Sequence, residues 1–246
     1  MGRQADYDDF AHVYNKYWAG YSIRVVPILE RLALNDFSPG AAILDLCCGT
    51  GQLAQALTER GYMVAGVDGS EQMLNYARIN APQASFHCAD VRYFELPTKF
   101  DVVFSTYDSL NHMLTLDDLG NVFRNVRRQL ETGGVFVFDM NLESGFLRRW
   151  VGSFNIRSDD TVLAAESKYD KDEKLATLYL TIFAQHKEDK ALWRRNDVML
   201  TQRAYTVDEV ITTLTTAGFA GIEVFDARRD FDLREDGRAF FTAKKL

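Results

Sequence analysis

The sequence predicts an α/β fold: a doubly wound, seven-stranded, mostly parallel sheet with helices on both faces and a small antiparallel β insert. Three observations predict it. From Ala42 onward, short apolar runs alternate with amphipathic stretches across short connections, as βα units do. Runs such as Val135-Phe136-Val137-Phe138 are apolar on both faces, which suits strands buried inside a parallel sheet. Between Phe154 and Arg203 the helical signals give way to period-two alternation separated by charged turns.

The elements follow in order. Phe10, Tyr14, Tyr17 and Tyr21 share one helical face, and Val25, Ile28, Leu29 and Leu32 continue an apolar stripe, so the first forty residues read as helical. Ala42 to Leu46 is the first strand, and a helix follows it to Arg60 with Gly61 as its stop. Met63 to Val67 is the second strand, after which Ser70 caps a helix that turns Met73, Leu74 and Ala77 inward. Ser85 to Cys88 and Phe100 to Ser105 are strands three and four. Thr115 opens a helix burying Leu119, Val122, Phe123, Val126 and Leu130; Gly133-Gly134 ends it, and Val135 to Phe138 is strand five. The insert then carries three or four strands, divided by Asp170-Lys171-Asp172-Glu173 and Lys187-Glu188-Asp189-Lys190. Thr206-Val207-Asp208-Glu209 is a capping box, and Ile222 to Phe225 and Ala239 to Ala243 complete the sheet. Residues 1–140 and 205–246 are expected to form the core with a helical cap, and 141–204 the insert.

Composition narrows the function. The 246 residues suffice for one sizeable core with a modest subdomain. Twenty-eight basic against thirty-five acidic residues give a net charge of -7, which argues against a broad phosphate-binding surface, so no nucleic-acid partner is expected. No stretch approaches the roughly 20 apolar residues of a membrane helix, and no membrane partner is expected. The opening MGRQADYDDF is polar and acidic, unlike a signal peptide, and Met1-Gly2 lacks the hydroxyl residue that myristoylation needs at position six. Three cysteines, two of them adjacent, give neither a disulfide framework nor metal spacing; a cytoplasmic, metal-free protein is expected.

The chemistry concentrates after the first strand. Asp45-Leu46-Cys47-Cys48-Gly49-Thr50-Gly51 leads from a strand through a glycine-containing turn into a helix, a place where a ligand can approach the backbone. Asp68 ends the second strand, seventeen residues after Gly51, where a carboxylate can accept hydrogen bonds from ribose hydroxyls. Both features also fit a dinucleotide. Asp45 and Asp90 do not: an anion beside the turn repels a pyrophosphate but tolerates a cationic cofactor, and an acid after strand three can accept from an adenine amino group.

On the Asp45-to-Gly51 loop, Val67-Asp68-Gly69-Ser70, Ala89-Asp90-Val91, Phe100-Asp101-Val102-Val103 and Leu130-Glu131-Thr132-Gly133-Gly134, the sequence resembles the class I S-adenosylmethionine (SAM)-dependent methyltransferases over about residues 40–140 and 205–246. The resemblance implies a Rossmann-like fold with an antiparallel last strand, SAM as cofactor and S-adenosylhomocysteine as product. It implies that Gly49 and Gly51 line the methionine portion, Asp68 holds the ribose, Met73 flanks the adenine and Asp90 reads its amino group, with Cys47, Gly69, Val91 and Ser105 nearby. Cys47 stands where many members have glycine.

At the reacting end, Ser105-Thr106-Tyr107-Asp108-Ser109-Leu110-Asn111-His112 resembles the Ser-x-x-His pattern of amino-sugar and glycine-type N-methyltransferases. His112 is the candidate base, and a capping or packing histidine is the competing reading. In those families tyrosines and an arginine near the N-terminus grip the methionine carboxylate; Tyr14, Tyr21 and Arg24 are the counterparts, unless that helix simply packs on the core. Tyr169, Tyr179, Phe183 and Trp193 of the insert either line an acceptor pocket or form its own core. The pairs Arg148-Arg149, Arg194-Arg195 and Arg228-Arg229 bind an acidic substrate or are solvated charge. The expected function is methyl transfer to a small molecule, to nitrogen before oxygen, with a homodimer through the insert as a further expectation. An RNA or protein methyltransferase and a non-catalytic SAM-binding regulator are the alternatives.

Overall fold

The computed structural model describes residues 5–186 and 188–246. The Met1-Gly2 pair and Lys187 of the second charged turn lie outside them. Four short helices open the chain: α1 (Ala5–Asp8), α2 (Ala11–Tyr17), α3 (Gly20–Arg24) and α4 (Val26–Leu32). Then come β1 (Ala42–Leu46), α5 (Gln52–Thr58), β2 (Met63–Asp68), α6 (Glu71–Asn80), β3 (Ser85–Cys88) and β4 (Phe100–Ser105). A 3-10 turn (Ser109–His112) precedes α7 (Leu116–Gln129) and β5 (Leu130–Asn141). The insert holds α8 (Glu143–Arg149), β6 (Gly152–Arg157), β7 (Thr161–Asp170), β8 (Leu175–Gln185) and β9 (Trp193–Arg203). The chain closes with α9 (Val207–Thr216), β10 (Ala220–Asp226), α10 (Ala227–Phe231) and β11 (Arg238–Lys244).

The main sheet runs β10-β11-β5-β4-β1-β2-β3, and β11 is antiparallel to both of its neighbours. Strand parity explains why its strands read as apolar throughout. Val103 of β4 and Phe136 and Phe138 of β5 fill the core on one side, while Val102, Phe104, Val135 and Val137 fill the other. A side chain of this size contributes about 1.5–3 kcal/mol when fully buried, so both helical layers are held firmly to the sheet. Helix starts match their capping signals: the Ser70 hydroxyl accepts from the Met73 N–H, and Thr206 and Glu209 form a reciprocal capping box.

Two differences from the sequence reading have local causes. β5 starts at Leu130, before the Gly133-Gly134 pair read as a helix stop, because Gly133 donates to the Lys245 carbonyl and Lys245 donates to that of Gly134, extending the ladder past the glycines. The short helices α8 and α10 were not anticipated; each has fewer than eight residues, too few for a helical period to stand out.

The insert forms a four-stranded antiparallel sheet in the order β6-β7-β8-β9. Its inner face, with Leu163, Leu180, Ile182 and Leu200, packs with Phe10 and Val13 of the N-terminal segment and with Met73. Helices α1 and α2 are thereby wedged between the insert and α6, while α3 and α4 pack against α5 and the main sheet. No helix among the described residues is long and apolar enough to cross a membrane.

Candidate active site

A cavity of about 740 Å³ opens at the carboxyl ends of β1, β2 and β4 and is roofed by the N-terminal helices and the insert. Its floor begins at the turn after β1. Cys47, Gly49 and Gly51 all have left-handed backbones, with φ of 59°, 51° and 84°. For a non-glycine residue this costs about 1–2 kcal/mol, which Cys47 bears. A Cβ on Gly51 would lie 2.8 Å from the Cα of Ala77, so this glycine lets the turn pack directly on α6.

Asp68 is pinned by the turn it faces. One carboxylate oxygen accepts from the Gly49 N–H at 2.9 Å and the other from the Ser70 N–H at 2.9 Å. Burial pushes its carboxyl up, and those N–H groups offset part of the shift. Each oxygen retains a lone pair, and the residue lines the cavity. Farther along, Asp90 is held by Arg92 at 2.6 Å, which also reaches Asp118 at 2.9 Å; hydrogen bonding to Arg92 draws the Asp90 carboxyl down. Asp45 is buried under the turn, where desolvation pushes its carboxyl up to about 8, and its Oδ2 has no hydrogen-bond partner.

The opposite half is built on the segment after β4. Tyr107 and Asp108 are consecutive non-glycine residues with left-handed backbones, φ of 65° and 50°. Asp139 of β5 holds this strained pair by accepting from the Tyr107 N–H at 2.6 Å and the Asp108 N–H at 3.4 Å. Arg238, 1% exposed, donates to Asp139 and, at 2.6 Å, to Asp108. Tyr21 stacks on Tyr107 with centroids 4.3 Å apart and donates its hydroxyl to Asp139.

His112 ends the 3-10 turn and faces this half. Its Nδ1 lies 2.8 Å from the Thr201 carbonyl, which can only accept, so Nδ1 carries the proton. In the neutral ring, Nε2 is then an acceptor. The Tyr7 hydroxyl donates to Nε2 at 2.7 Å, and the Gln202 amide, 3.2 Å away, also holds Asp108 at 2.5 Å. Tyr7 is kept over the site by its neighbour Asp8, which accepts from the Ser70 hydroxyl at 2.5 Å.

A family profile described as a methyltransferase domain matches residues 43–134. The dTDP-3-amino-3,4,6-trideoxy-alpha-D-glucopyranose N,N-dimethyltransferase of Streptomyces venezuelae is 31% identical over 164 residues, covering 65% of this chain and 69% of that protein. The chain belongs to the class I SAM-dependent methyltransferases. A SAM-dependent methyltransferase from Clostridium acetobutylicum ATCC 824 superposes with a TM-score of 0.77 at 25% identity over 97% of this chain and 98% of that one. The sugar N-methyltransferase KedS8 from Streptoalloteichus sp ATCC 53650 shares the fold at a TM-score of 0.77 and 22% identity, over 97% and 92% of the two chains.

SAM is therefore the cofactor of this methyltransferase, and the residues present fit it. Pinned Asp68, with lone pairs to spare for two ribose hydroxyls, is the observation that tests the fit. Cys47, Gly49, Asp68, Gly69 and Met73 line the cavity, as do Asp90 and Val91 at one end and Tyr14 and His112 at the other. Five residues expected at the site lie outside the lining. Gly51 packs on α6; Asp45 and Ser105 are buried at or near the ends of their strands. Tyr21 points down to Asp139, and Arg24 is exposed on α3. The break between α2 and α3 rotates these two away from the face that carries Tyr14.

In the insert, strand parity decides which side chains face inward. Leu178, Leu200 and Gln202 line the cavity, whereas Tyr179, Phe183 and Trp193 are exposed and Tyr169 stacks on Phe146. Of the arginine pairs, Arg149 alone reaches the cavity; Arg228 and Arg229 sit in exposed ion pairs. Sequence reasoning missed Tyr7, Gln202 and Arg238. Tyr7 precedes Phe10 and Tyr14 at helical spacing, which was a usable signal; Gln202 and Arg238 meet Asp108 from 94 and 130 residues away, with no local pattern.

Proposed function

We propose that this methyltransferase methylates a nitrogen atom of a small-molecule acceptor, with His112 as general base. The observation that carries the reading is the His112 tautomer: the Thr201 carbonyl holds the proton on Nδ1 and makes Nε2 the accepting atom, where an acceptor amine delivering its proton would displace the Tyr7 hydroxyl. When bound, SAM supplies a methyl group already activated on a sulfonium, so the chain has mainly to align and exclude water. Asp68 and Asp90 would hold the nucleoside end, and the turn through Cys47 and Gly49 would meet the methionine end. The N-terminal helices and the insert shield the reacting centre, while Tyr7 and Gln202 fix the His112 ring. A roofed cavity supports a small acceptor over RNA or a peptide, and the amino-sugar N-methyltransferases among the relatives support nitrogen.

The test is a screen of primary amines and matched alcohols with SAM, reading S-adenosylhomocysteine and the methylated product by mass spectrometry. His112→Ala is expected to lower kcat about 10²–10⁴-fold with cofactor affinity unchanged. Turnover of alcohols alone, or full activity of the variant, would overturn the reading. We further propose a homodimer through the insert, supported by exposed Tyr179, Phe183 and Met199 on one face of its sheet; a monomeric mass by light scattering would refute it.

A further inference from the structure

The charge balance of the cavity speaks to the class of acceptor, on the understanding that nitrogen is methylated. We infer that the acceptor is a cationic amine with an apolar body and no phosphate group. The half of the cavity beyond His112 contains two arginines, and both are spent on the protein itself. The terminal nitrogens of Arg238 hold Asp139 and Asp108, and its Nε lies 3.6 Å from Glu235. Those of Arg149 hold Glu235 and the Asn141 side chain, and its Nε donates to the Asp236 carbonyl at 3.2 Å. Binding a phosphate calls for an arginine fork that is open to the ligand. At the cofactor end Arg92 is likewise committed, to Asp90 and Asp118.

Over the whole lining, Asp68, Asp90, Asp108, Asp118 and Glu235 face three arginines, a surplus of two negative charges. Bound SAM carries an ammonium, a sulfonium and a carboxylate, and its single net positive charge offsets one of them. What remains attracts a cation and repels a diphosphate. The walls fit the same ligand: Tyr7, Phe10, Trp18, Tyr107, Trp150 and Phe154 line the cavity and make its walls aromatic and apolar, the surroundings that suit an ammonium and its body. Trp18 and Phe154, with centroids 6.2 Å apart, form one side of this wall. Relatives whose names specify dTDP-linked amino sugars act on acceptors bearing a diphosphate, so this chain would differ from them in substrate class.

The protein saturated with S-adenosylhomocysteine should be titrated calorimetrically with thymidine 5′-diphosphate, inorganic pyrophosphate, benzylamine, tryptamine and spermidine. At least one amine is expected to bind, and more tightly than either anion. Glu235→Gln removes one carboxylate and leaves Arg149 without its ion-pair partner. It is expected to weaken the bound amine roughly tenfold and to strengthen thymidine 5′-diphosphate, opposite shifts that a general loosening of the site would not produce. Tighter binding of either anion than of every amine, no amine binding, or parallel shifts in the variant would each overturn the inference. An amine that binds but is never methylated on nitrogen would instead refute the nitrogen reading and leave the charge argument standing.

Discussion

Replacing Arg238 with methionine would expose how the acceptor side of the site is held together. The side chain is 1% exposed and lies between Asp108 and Asp139, both buried. Methionine matches much of its volume but leaves the two carboxylates facing each other without a cation. Removing one partner of a buried ion pair costs about 3–5 kcal/mol, chiefly because the charge left behind is desolvated. For a chain of this size each kcal/mol lowers Tm by about 2–4 °C, so a fall of roughly 6–20 °C is expected at pH 7. The pH dependence has a definite sign. Burial already pushes the Asp139 carboxyl up, with Arg238 opposing it. Without the arginine its folded pKa rises further above the unfolded value, so the variant keeps its stability in acid and loses it as pH rises. Urea unfolding followed by circular dichroism at pH 5 and pH 7.5 should show the larger deficit at pH 7.5. Adding Asp139→Asn should recover part of it. A deficit below about 1 kcal/mol, the range of an exposed ion pair, or one independent of pH, would refute the reasoning.

Two further predictions concern the cofactor turn. Desolvation places the Asp45 carboxyl at about 8, above its unfolded value of 3.8, so the wild type loses stability as pH rises between those values. Asp45→Asn should be more stable than wild type by about 2 kcal/mol or more at pH 9 and by little at pH 4, measured by urea unfolding; equal stability at both would contradict the account. Gly51→Ala would need a left-handed alanine whose Cβ lies 2.8 Å from the Ala77 backbone, and a loss of about 2–4 kcal/mol is expected from thermal unfolding. An unchanged Tm would show that the turn and α6 are not packed as described.

The sheet was legible because its strands are buried on both faces and its helices are amphipathic, so each left a local trace. That Asp68, Asp90 and Gly49 line the cavity was legible for a related reason: the cavity opens at strand ends, and strand ends can be read. The acceptor side resisted for physical reasons. Asp108, Gln202, Arg149 and Arg238 come from four separate elements, and their meeting depends on tertiary packing. Tyr21 and Arg24, offered by resemblance alone, lie outside the lining, beyond a helix break at Trp18 and Ala19 that no local pattern announced. Tyr179 and Phe183 were left open between a pocket wall and the insert's own core on residue type, although alternation with Leu178 and Leu180 already placed them on the opposite face.

Asp68, pinned by Gly49 and Ser70, is placed to organise the SAM site. Isothermal titration with SAM, S-adenosylhomocysteine and NAD, on the wild type and on Asp68→Ala, tests this assignment most directly. The first two are expected to bind and NAD is not. The substitution is expected to weaken both by about 100-fold or more, the scale of two hydrogen bonds to a charged acceptor. Binding of NAD in their place, or unchanged SAM affinity in Asp68→Ala, would contradict this assignment.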